Sequence, residues 1–281
     1  MSRPVEGPAG DKHRARKRFG QNFLHDPNII ARIVRAIDPQ PAQAVVEIGP
    51  GMGALTGPLV AAAGFLDVIE IDRDLAPRIA ERFGERAEVH LADALKFDFA
   101  ALAQKRGQPL RVVGNLPYNI STPLVFHLLD NAAHIRDMHF MLQKEVVDRM
   151  GAAAGDDDYG RLTVMVQYRC KVEPLFNVPP EAFNPRPKVH SAIVRLIPRA
   201  PTRAARDERL LYQLVTAAFS QRRKTLRNAV RSLLDETDIV ACGIDPGVRP
   251  EMLDVAQFVA LADAAAARGV VAADLPPEPA P

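Results

Sequence analysis

The sequence predicts an α/β protein in which a mostly parallel, seven-stranded sheet with helices on both faces precedes a small all-helical domain. Three observations support this fold class. Short β-rich runs alternate with helix-length segments between residues 44 and 142, a pattern typical of βαβ units. Beyond Pro198, apolar residues recur at helical spacing. The length of 281 residues suits one large and one small domain.

Each element is expected from local signals. A helix is predicted over residues 26–37, because Asp26 can cap it and Pro27 suits its first turn. Parallel strands are predicted at residues 44–48, 66–71, 87–91, 110–114 and 138–142. Helices are predicted between them at residues 54–63, 75–83, 99–104 and 123–129. A final hairpin is predicted at residues 172–178 and 192–197, and the later helices at residues 207–234 and 254–267.

These elements divide the chain into four parts, and basic charge is concentrated in two of them. The parts are a basic N-terminal arm (1–25), the α/β domain (26–200), the helical domain (201–270) and a Pro-rich tail expected to be disordered (271–281). Residues 1–24 carry six basic against two acidic side chains, and residues 199–231 carry nine against two, although the net charge of the whole chain is only +2. Two basic segments on an otherwise acidic protein indicate a polyanionic partner, and solvated arms are the alternative.

The composition excludes several classes of protein. No apolar run reaches the roughly 18–20 residues needed to cross a bilayer, and the first 17 residues lack the apolar core of a secretory signal. Cys170 and Cys242 form no disulfide framework, and the seven histidines show no metal-ligand spacing. We therefore expect a cytoplasmic protein with free thiols, without a membrane anchor and without a metal.

A glycine-rich loop after the first strand predicts a nucleoside site. Gly49 and Gly51 allow the backbone to turn tightly and to lie against a ligand. Glu70, twenty-one residues after Gly49, ends the next strand, where a carboxylate can accept from both ribose hydroxyls. Asp93, at the end of the third strand, can accept from an exocyclic amine such as that of adenine. Residues 49–54 also fit the G-x-G-x-x-A pattern of nicotinamide dehydrogenases, so two enzyme classes stay open here.

The fourth strand leads into Asn115-Leu116-Pro117-Tyr118, which predicts transfer to an aromatic amine. The Asn115 side-chain oxygen and the Leu116 carbonyl can accept from the two N–H bonds of such an amine, which favours the tetrahedral nitrogen of the transition state. Pro117 stiffens the loop, and Tyr118 offers a flat face for the base. A dehydrogenase gives this tetrapeptide no role, so the sequence favours a methyltransferase that uses S-adenosylmethionine.

From about residue 17 to residue 257, the chain resembles the bacterial 16S ribosomal-RNA adenine dimethyltransferases, also called kasugamycin-sensitivity methyltransferases. The motifs that carry the resemblance are KRFGQNFL (17–24), VEIGPG (46–51), GNLPYNISTP (114–123), MLQKEV (141–146), FNPRPKV (183–189) and FSQRRKT (219–225). The resemblance implies a Rossmann-like class I methyltransferase domain at 26–200 and an RNA- or ribosome-contacting domain at 201–270. Two departures, His190 where an acidic residue is common and Ala92 where glycine is frequent, leave substrate orientation less defined.

The resemblance also implies roles for individual residues. The segment 17–24 is expected to fold over the cofactor, and Phe183 to provide a second stacking face for the target base. The residues implied to contact S-adenosylmethionine are Gln21, Asn22, Leu24, Gly49, Gly51, Glu70, Asp93, Ala94 and Asn115. The reaction that it implies is the transfer of two methyl groups to each of two adjacent adenosines near the 3′ end of 16S rRNA. This reaction takes place in the 30S small ribosomal subunit, late in assembly.

A single helix at residues 207–234 would place Arg223 and Arg227 on one face, with Leu226 and Val230 facing inward. Such a face suits a phosphate backbone. The expected RNA contacts are therefore Arg16, Lys17, Arg18, Arg222, Arg223, Lys224 and Arg227. The free protein is expected to be a monomer. The alternatives are an adenine methyltransferase acting on 23S rRNA or DNA, and an assembly factor whose main role is binding.

Overall fold

The computed structural model of the chain describes residues 5–6, 12–13, 22–117, 119–221 and 223–272. Across those stretches, none of the helices combines the length and the apolar character that crossing a membrane requires. Described residues up to Val147, together with Glu173–Pro198, form one compact unit, named here the sheet unit. Asp148–Val172 and the described residues from Arg199 onward form a second, named the helical unit. Most of the predicted basic arm, and the predicted tail from residue 273, lie outside the described residues.

Eleven strands are present in the described residues, and seven of them make up the main sheet. The short ones are β1 (Val5–Glu6), β2 (Lys12–His13), β3 (Phe23–Leu24) and β10 (Phe183–Asn184). The main sheet contains β4 (Val45–Ile48), β5 (Leu66–Glu70), β6 (Ala87–Leu91), β7 (Leu110–Asn115), β8 (Ile135–Gln143), β9 (Cys170–Val178) and β11 (Ser191–Pro198). All seven predicted strands are therefore present, with ends that coincide or differ by at most three residues.

Eleven α-helices alternate with or follow these strands in the described residues. Up to residue 151 they are α1 (Pro27–Ile37), α2 (Thr56–Ala63), α3 (Ala76–Phe83), α4 (Phe99–Arg106), α5 (Ser121–Asp130) and α6 (Lys144–Gly151). After residue 151 they are α7 (Arg161–Arg169), α8 (Glu208–Phe219), α9 (Leu226–Ala229), α10 (Glu236–Ala241) and α11 (Val255–Ala267). The Asp26 carboxylate caps α1 as expected, since it accepts from the backbone N–H groups of Asn28 and Ile29.

The main sheet has the strand order β6-β5-β4-β7-β8-β11-β9. The pairs from β6 to β8 are parallel and β11 runs antiparallel to β8, so the sheet is mostly parallel, as predicted. Strand order reverses direction between β4 and β7, which is where ligands bind in open sheets of this type. Both faces are buried: Val45 and Val113 point into a core with α1 and α2, and the alternate residues Val46 and Val112 are equally buried on the other face.

The predicted continuous helix at residues 207–234 is wrong. It is interrupted after Phe219, and a new short helix begins at Leu226 with Thr225 at its N-cap. The interruption falls on the polar run 220–225, which has no apolar side chain to bury against the rest of the unit. Arg223 therefore lies in a turn, and it does not share a helical face with Arg227 by four-residue spacing.

The helical unit also contains residues 148–172, which the sequence analysis assigned to the α/β domain. Its helix α7 packs against α8 and α11, and most of its residues are buried on all sides. Sequence reasoning missed α7 because a helix that is buried all round has no amphipathic stripe. Tyr168 ties it to α8 through a hydrogen bond from its hydroxyl to Glu208 Oε1 (3.1 Å).

Candidate active site

A pocket of about 290 Å³ lies in the sheet unit at the carboxyl ends of the parallel strands. Four of its lining residues come from four adjacent strand ends: Gly49 after β4, Glu70 on β5, Asp93 after β6 and Asn115 on β7. The described residues predicted for cofactor and target all line this pocket, namely Asn22, Leu24, Gly49, Gly51, Glu70, Asp93, Ala94, Asn115, Leu116, Pro117 and Phe183. They span more than 160 positions of the chain, and the fold brings them together.

The glycine-rich loop has the conformation that its sequence predicts. Gly49 and Gly51 adopt φ angles of +67° and +57°, values that residues with a Cβ rarely adopt. The loop is tied to the sheet because Gly49 donates its N–H to the carbonyl of Ile69 on β5 (2.9 Å). A Cβ on Gly51 would lie only 3.1 Å from the ring of Phe23. Glycine is thus needed at this position both for its backbone angle and for close packing.

Gly114 is a further required glycine, and sequence reasoning gave it no role. A Cβ at this position would lie 2.7 Å from the carbonyl oxygen of Ile48 on the neighbouring strand β4. Backbone cannot move aside as a flexible side chain can, so any larger residue would separate β4 from β7. Strand β4 ends immediately before Gly49, and β7 ends at Asn115. Gly114 therefore fixes the distance between the loop that begins at Gly49, named here the glycine loop, and the loop that begins at Asn115, named here the reaction loop.

Glu70 is the buried carboxylate of the pocket. Burial raises the pKa of its carboxyl, and the backbone N–H groups of Asp72, Gly51 and Ile71 act in the opposite direction by hydrogen bonding to the charged form. The Asp72 N–H lies 2.8 Å from Glu70 Oε1. Oriented by backbone donors at the edge of the pocket, this carboxylate has the geometry of a ribose-hydroxyl acceptor.

Glu47 is a second buried acid in the pocket, and the sequence analysis did not single it out. Burial raises the pKa of its carboxyl to about 7, the hydrogen bond from Thr56 lowers it, and the charge of Glu70 raises it further. The Thr56 hydroxyl donates to Glu47 Oε2 at 2.6 Å. Two acidic side chains beside one pocket favour a ligand that carries positive charge.

Asp93 has a structural role in addition to its predicted one. Its carboxylate caps a short 3-10 turn over Ala94–Lys96 by accepting from the Leu95 N–H at 3.0 Å. Apolar side chains of Ile71 and Leu95 also line the pocket. Sequence reasoning missed both, although their positions one residue after Glu70 and two residues after Asp93 were a usable signal. An amine acceptor between apolar walls suits a purine base.

The reaction loop is anchored at Asn115 and at Leu116. The Asn115 amide nitrogen Nδ2 donates to the backbone carbonyl of Asn22 (3.1 Å), which orients the side chain and leaves Oδ1 as the acceptor end. Leu116 donates its N–H to the carbonyl of Met141 on β8 (3.2 Å), and its side chain is fully buried. The Pro117 carbonyl accepts from the Ile120 N–H (3.1 Å), which closes the turn into α5.

Phe183 lies beside the segment that carries Asn22. Strand β10 pairs with β3 in antiparallel register, so that Phe183 faces Leu24 and Asn184 faces Phe23. Phe183 is buried and lines the pocket. The fold therefore brings this aromatic ring, predicted as a stacking face, to the same pocket as Asn115 and Pro117.

Several predicted site residues cannot be located in this way. Gln21, Tyr118, Arg16, Lys17, Arg18 and Arg222 lie outside the described residues. In the helical unit, Arg223, Lys224 and Arg227 are exposed. Arg227 is partly compensated by Glu236, whose Oε2 lies 3.3 Å from Arg227 Nη1. Leu226 and Val230 are buried as predicted.

One group of side chains in the described residues has the spacing of a metal site. Ligand atoms of Asp67, Glu88 and His90 lie within 4.8 Å of one another. Arg106, however, pairs with both carboxylates of this group, with 2.7 Å contacts to Asp67 and to Glu88. Lys105 also pairs with Glu88. Since the carboxylates are compensated by cations, the group forms an ion-pair network at β5 and β6.

Comparison with known families gives a match over nearly the whole chain. The family profile described as ribosomal RNA adenine dimethylase matches residues 12–267. The chain belongs to the ribosomal RNA adenine dimethylase family. Membership excludes the dehydrogenase that the glycine pattern alone left open, and it makes the chain an rRNA adenine dimethyltransferase.

Two curated members of the family share most of this sequence. The chain is 62% identical over 259 residues to ribosomal RNA small subunit methyltransferase A of Aromatoleum aromaticum, a match that covers 92% of this chain and 96% of the relative. The protein of the same name from Pseudomonas aeruginosa is 60% identical over 255 residues, with 90% and 95% covered.

Two solved structures show the same fold at lower identity. A dimethyladenosine transferase from Plasmodium falciparum superposes with a TM-score of 0.69 at 29% identity, covering 85% of this chain and 95% of that one. The 23S rRNA methyltransferase ErmE superposes with a TM-score of 0.68 at 28% identity, covering 87% and 100%. The fold of this enzyme is therefore that of rRNA methyltransferases.

Proposed function

We propose that this dimethylase transfers methyl groups from S-adenosylmethionine to the N6 amines of two adjacent adenosines near the 3′ end of 16S rRNA. The substrate is the small ribosomal subunit in late assembly, and the site of action is the cytoplasm. The choice of subunit is supported by the relatives at about 60% identity, which are named small-subunit methyltransferases. Similarity of fold alone does not decide between the subunits, because ErmE, a 23S enzyme, superposes almost as well as the dimethyladenosine transferase.

The observation that carries the proposal is the convergence of a nucleoside cradle and an amine-accepting loop on one pocket. Gly49 leaves room for a ligand against the backbone, Gly51 allows the loop to turn tightly, Glu70 offers acceptors for ribose hydroxyls, and Asp93 offers one for an adenine amine. Glu47, whose pKa burial raises to about 7, would carry part of a negative charge at neutral pH, and a positively charged ligand would favour its ionised form. These residues fit S-adenosylmethionine, whose positively charged sulfur supplies a methyl group with a good leaving group.

At the target amine, the proposed work of the protein is to position and to accept hydrogen bonds. Asn115 Oδ1 and the Leu116 carbonyl would accept from the two N–H bonds of the adenosine, and these contacts strengthen as the nitrogen becomes tetrahedral. Pro117 stiffens the loop. Tyr118 and Phe183 would hold the base between their rings, a stacking contact worth about 1–3 kcal/mol per base in other nucleic-acid sites.

The described members of the proposed RNA-contact set are exposed cations of the helical unit. Arg223, Lys224 and Arg227 are exposed on the helical unit and would contact phosphates. Arg16, Lys17, Arg18 and Arg222 complete the proposed set. The free enzyme is proposed to be a monomer, and no metal takes part in the proposed chemistry.

The test is a competition assay with labelled S-adenosylmethionine and three substrates: unmethylated small subunits, naked 23S rRNA and duplex DNA. The proposal expects label only in the small subunits, recovered as N6,N6-dimethyladenosine at two neighbouring positions. Label in 23S rRNA or DNA would instead assign the alternative targets.

To test whether binding is the main role, an Asn115→Ala protein is introduced into cells lacking the enzyme. Full rescue of subunit assembly without methylation would make binding the main activity.

A further inference from the structure

The four residues 22–25, named here the strap, contact three of the loops that line the active site. Phe23 packs on the glycine loop, Asn22 on the reaction loop, and Leu24 and His25 on the loop that carries Phe183. The strap thus contacts both the side of the pocket that suits the cofactor and the side that suits the target base. A segment that only covered the cofactor would need no contact with the other two loops.

The contact with the glycine loop is made by an aromatic ring. Phe23 is buried and lines the pocket, and its ring lies 3.1 Å from the position that a Cβ on Gly51 would occupy. Gly51 is in turn one of the residues whose N–H favours the charged form of Glu70. Any ligand that orders the glycine loop therefore also orders Phe23, because there is no free space between them.

The contacts with the other two loops are hydrogen bonds made by the backbone of the strap. The Asn22 carbonyl holds Asn115 Nδ2 at 3.1 Å. The pairing of β3 with β10 sets Leu24 opposite Phe183, and the His25 N–H donates to the Ala182 carbonyl at 2.9 Å. Displacement of the strap would free the Asn115 amide to rotate and would remove the strand partner of Phe183.

We propose that the strap couples cofactor binding to the positioning of Asn115 and Phe183, with Phe23 as the positioning residue. The inference rests on the proposed function, in which the pocket binds S-adenosylmethionine and the two loops hold the target adenosine. A closed strap sets the amide acceptor and the stacking ring in place. An open strap releases both, so methyl transfer depends on strap closure even when the cofactor is bound.

The test compares Phe23→Ala with Phe176→Ala under single-turnover conditions, using saturating cofactor and unmethylated small subunits. Phe176 is partly buried against the core cluster that contains Leu24 and Phe183 and stacks under Arg32, but it does not line the pocket, so it is a control for the loss of an aromatic ring from the packing of the sheet unit. Cofactor affinity is measured separately by calorimetry. Phe23→Ala should slow transfer about tenfold or more at saturating cofactor, since small misplacements of reacting groups are costly. Phe176→Ala should transfer at the wild-type rate.

Each outcome has one meaning. If Phe23→Ala binds the cofactor more weakly but transfers at the wild-type rate once saturated, the strap is only a cover and the coupling is wrong. Equal slowing in Phe176→Ala would reduce the effect to lost packing and also contradict the proposal. Should Phe23→Ala fail to fold, Phe23→Leu removes the ring and keeps most of the buried volume, and the same rate comparison applies. Failure of the proposed function is distinguishable, because the wild-type enzyme would then leave the subunits unmethylated.

Discussion

Asn115 has two separable contacts, and replacing it by alanine should affect them by different amounts. The first is the hydrogen bond from Nδ2 to the Asn22 carbonyl. A neutral hydrogen bond contributes about 0.5–1.5 kcal/mol, so its loss should weaken cofactor binding by about two- to tenfold. The second is the acceptor Oδ1, proposed to act in the transition state, where losing one such contact costs about 100- to 1,000-fold in rate. Asn115→Ala should therefore lose far more transfer than cofactor affinity.

Asn115→Asp separates the two contacts further. Aspartate keeps an acceptor for the amine but cannot donate to Asn22, and its charge would face a carbonyl oxygen. We expect weaker cofactor binding in Asn115→Asp than in Asn115→Ala. Calorimetry with S-adenosylhomocysteine and single-turnover transfer to unmethylated subunits measure the two effects. Transfer by Asn115→Ala within tenfold of wild type would refute the acceptor role, and undiminished cofactor affinity in Asn115→Asp would refute the role of the Asn22 contact.

Three further changes test the scaffold of the site, and urea unfolding measures all three. Gly114→Ala should destabilise the protein by about 1–3 kcal/mol, because its methyl group would overlap the Ile48 carbonyl; unchanged stability would contradict this. The protonation of Glu47 stabilises the fold fully below pH 4.5, and this contribution is lost as the pH rises through about 7. Glu47→Gln should thus gain stability relative to wild type as the pH rises from 5 to 8, by on the order of 3 kcal/mol, and an advantage of the variant that grows as the pH falls would contradict the raised pKa of Glu47. Asp137→Asn should cost about 3–5 kcal/mol, since it leaves Arg111 buried without its carboxylate; a loss below 1 kcal/mol would refute that account.

Much of the site could be predicted from the sequence because parallel strands collect their ends at one edge. Once a glycine loop and the runs ending in Glu70, Asp93 and Asn115 are taken as strand ends, their meeting at one pocket follows from the topology alone. The pocket indeed joins these residues. Local chemistry was also enough for the cap of α1, because Asp26 acts on residues two and three positions away.

Features set by contacts between distant segments could not be predicted from local pattern. Gly114 and Ile48 approach each other closely although they lie 66 positions apart in the sequence, and no property of the glycine itself predicts this contact. The same holds for Phe23, which reads as an ordinary apolar residue until β3 pairs with β10. The prediction of a continuous helix across residues 220–225 was wrong for a different reason, because the local apolar pattern is compatible with more than one structure. Leu226 and Val230 do face inward, but two short turns can bury them as well as one helix can.

Buried titratable groups in this protein show that the position of a group relative to the pocket, not the size of its pKa shift, distinguishes a functional role from a structural one. Asp137 and Arg111 form a bidentate pair near the amino ends of β7 and β8, at the edge of the sheet opposite the pocket. Burial lowers the pKa of the neighbouring His139 to about 4, a shift as large as that of Glu47. Perturbed groups often mark active sites, yet His139 and Asp137 line no part of the pocket. The contacts around His139 and Asp137 hold neighbouring strands together. Glu47, whose pKa is shifted by a similar amount, lines the pocket, where its charge can act on a ligand.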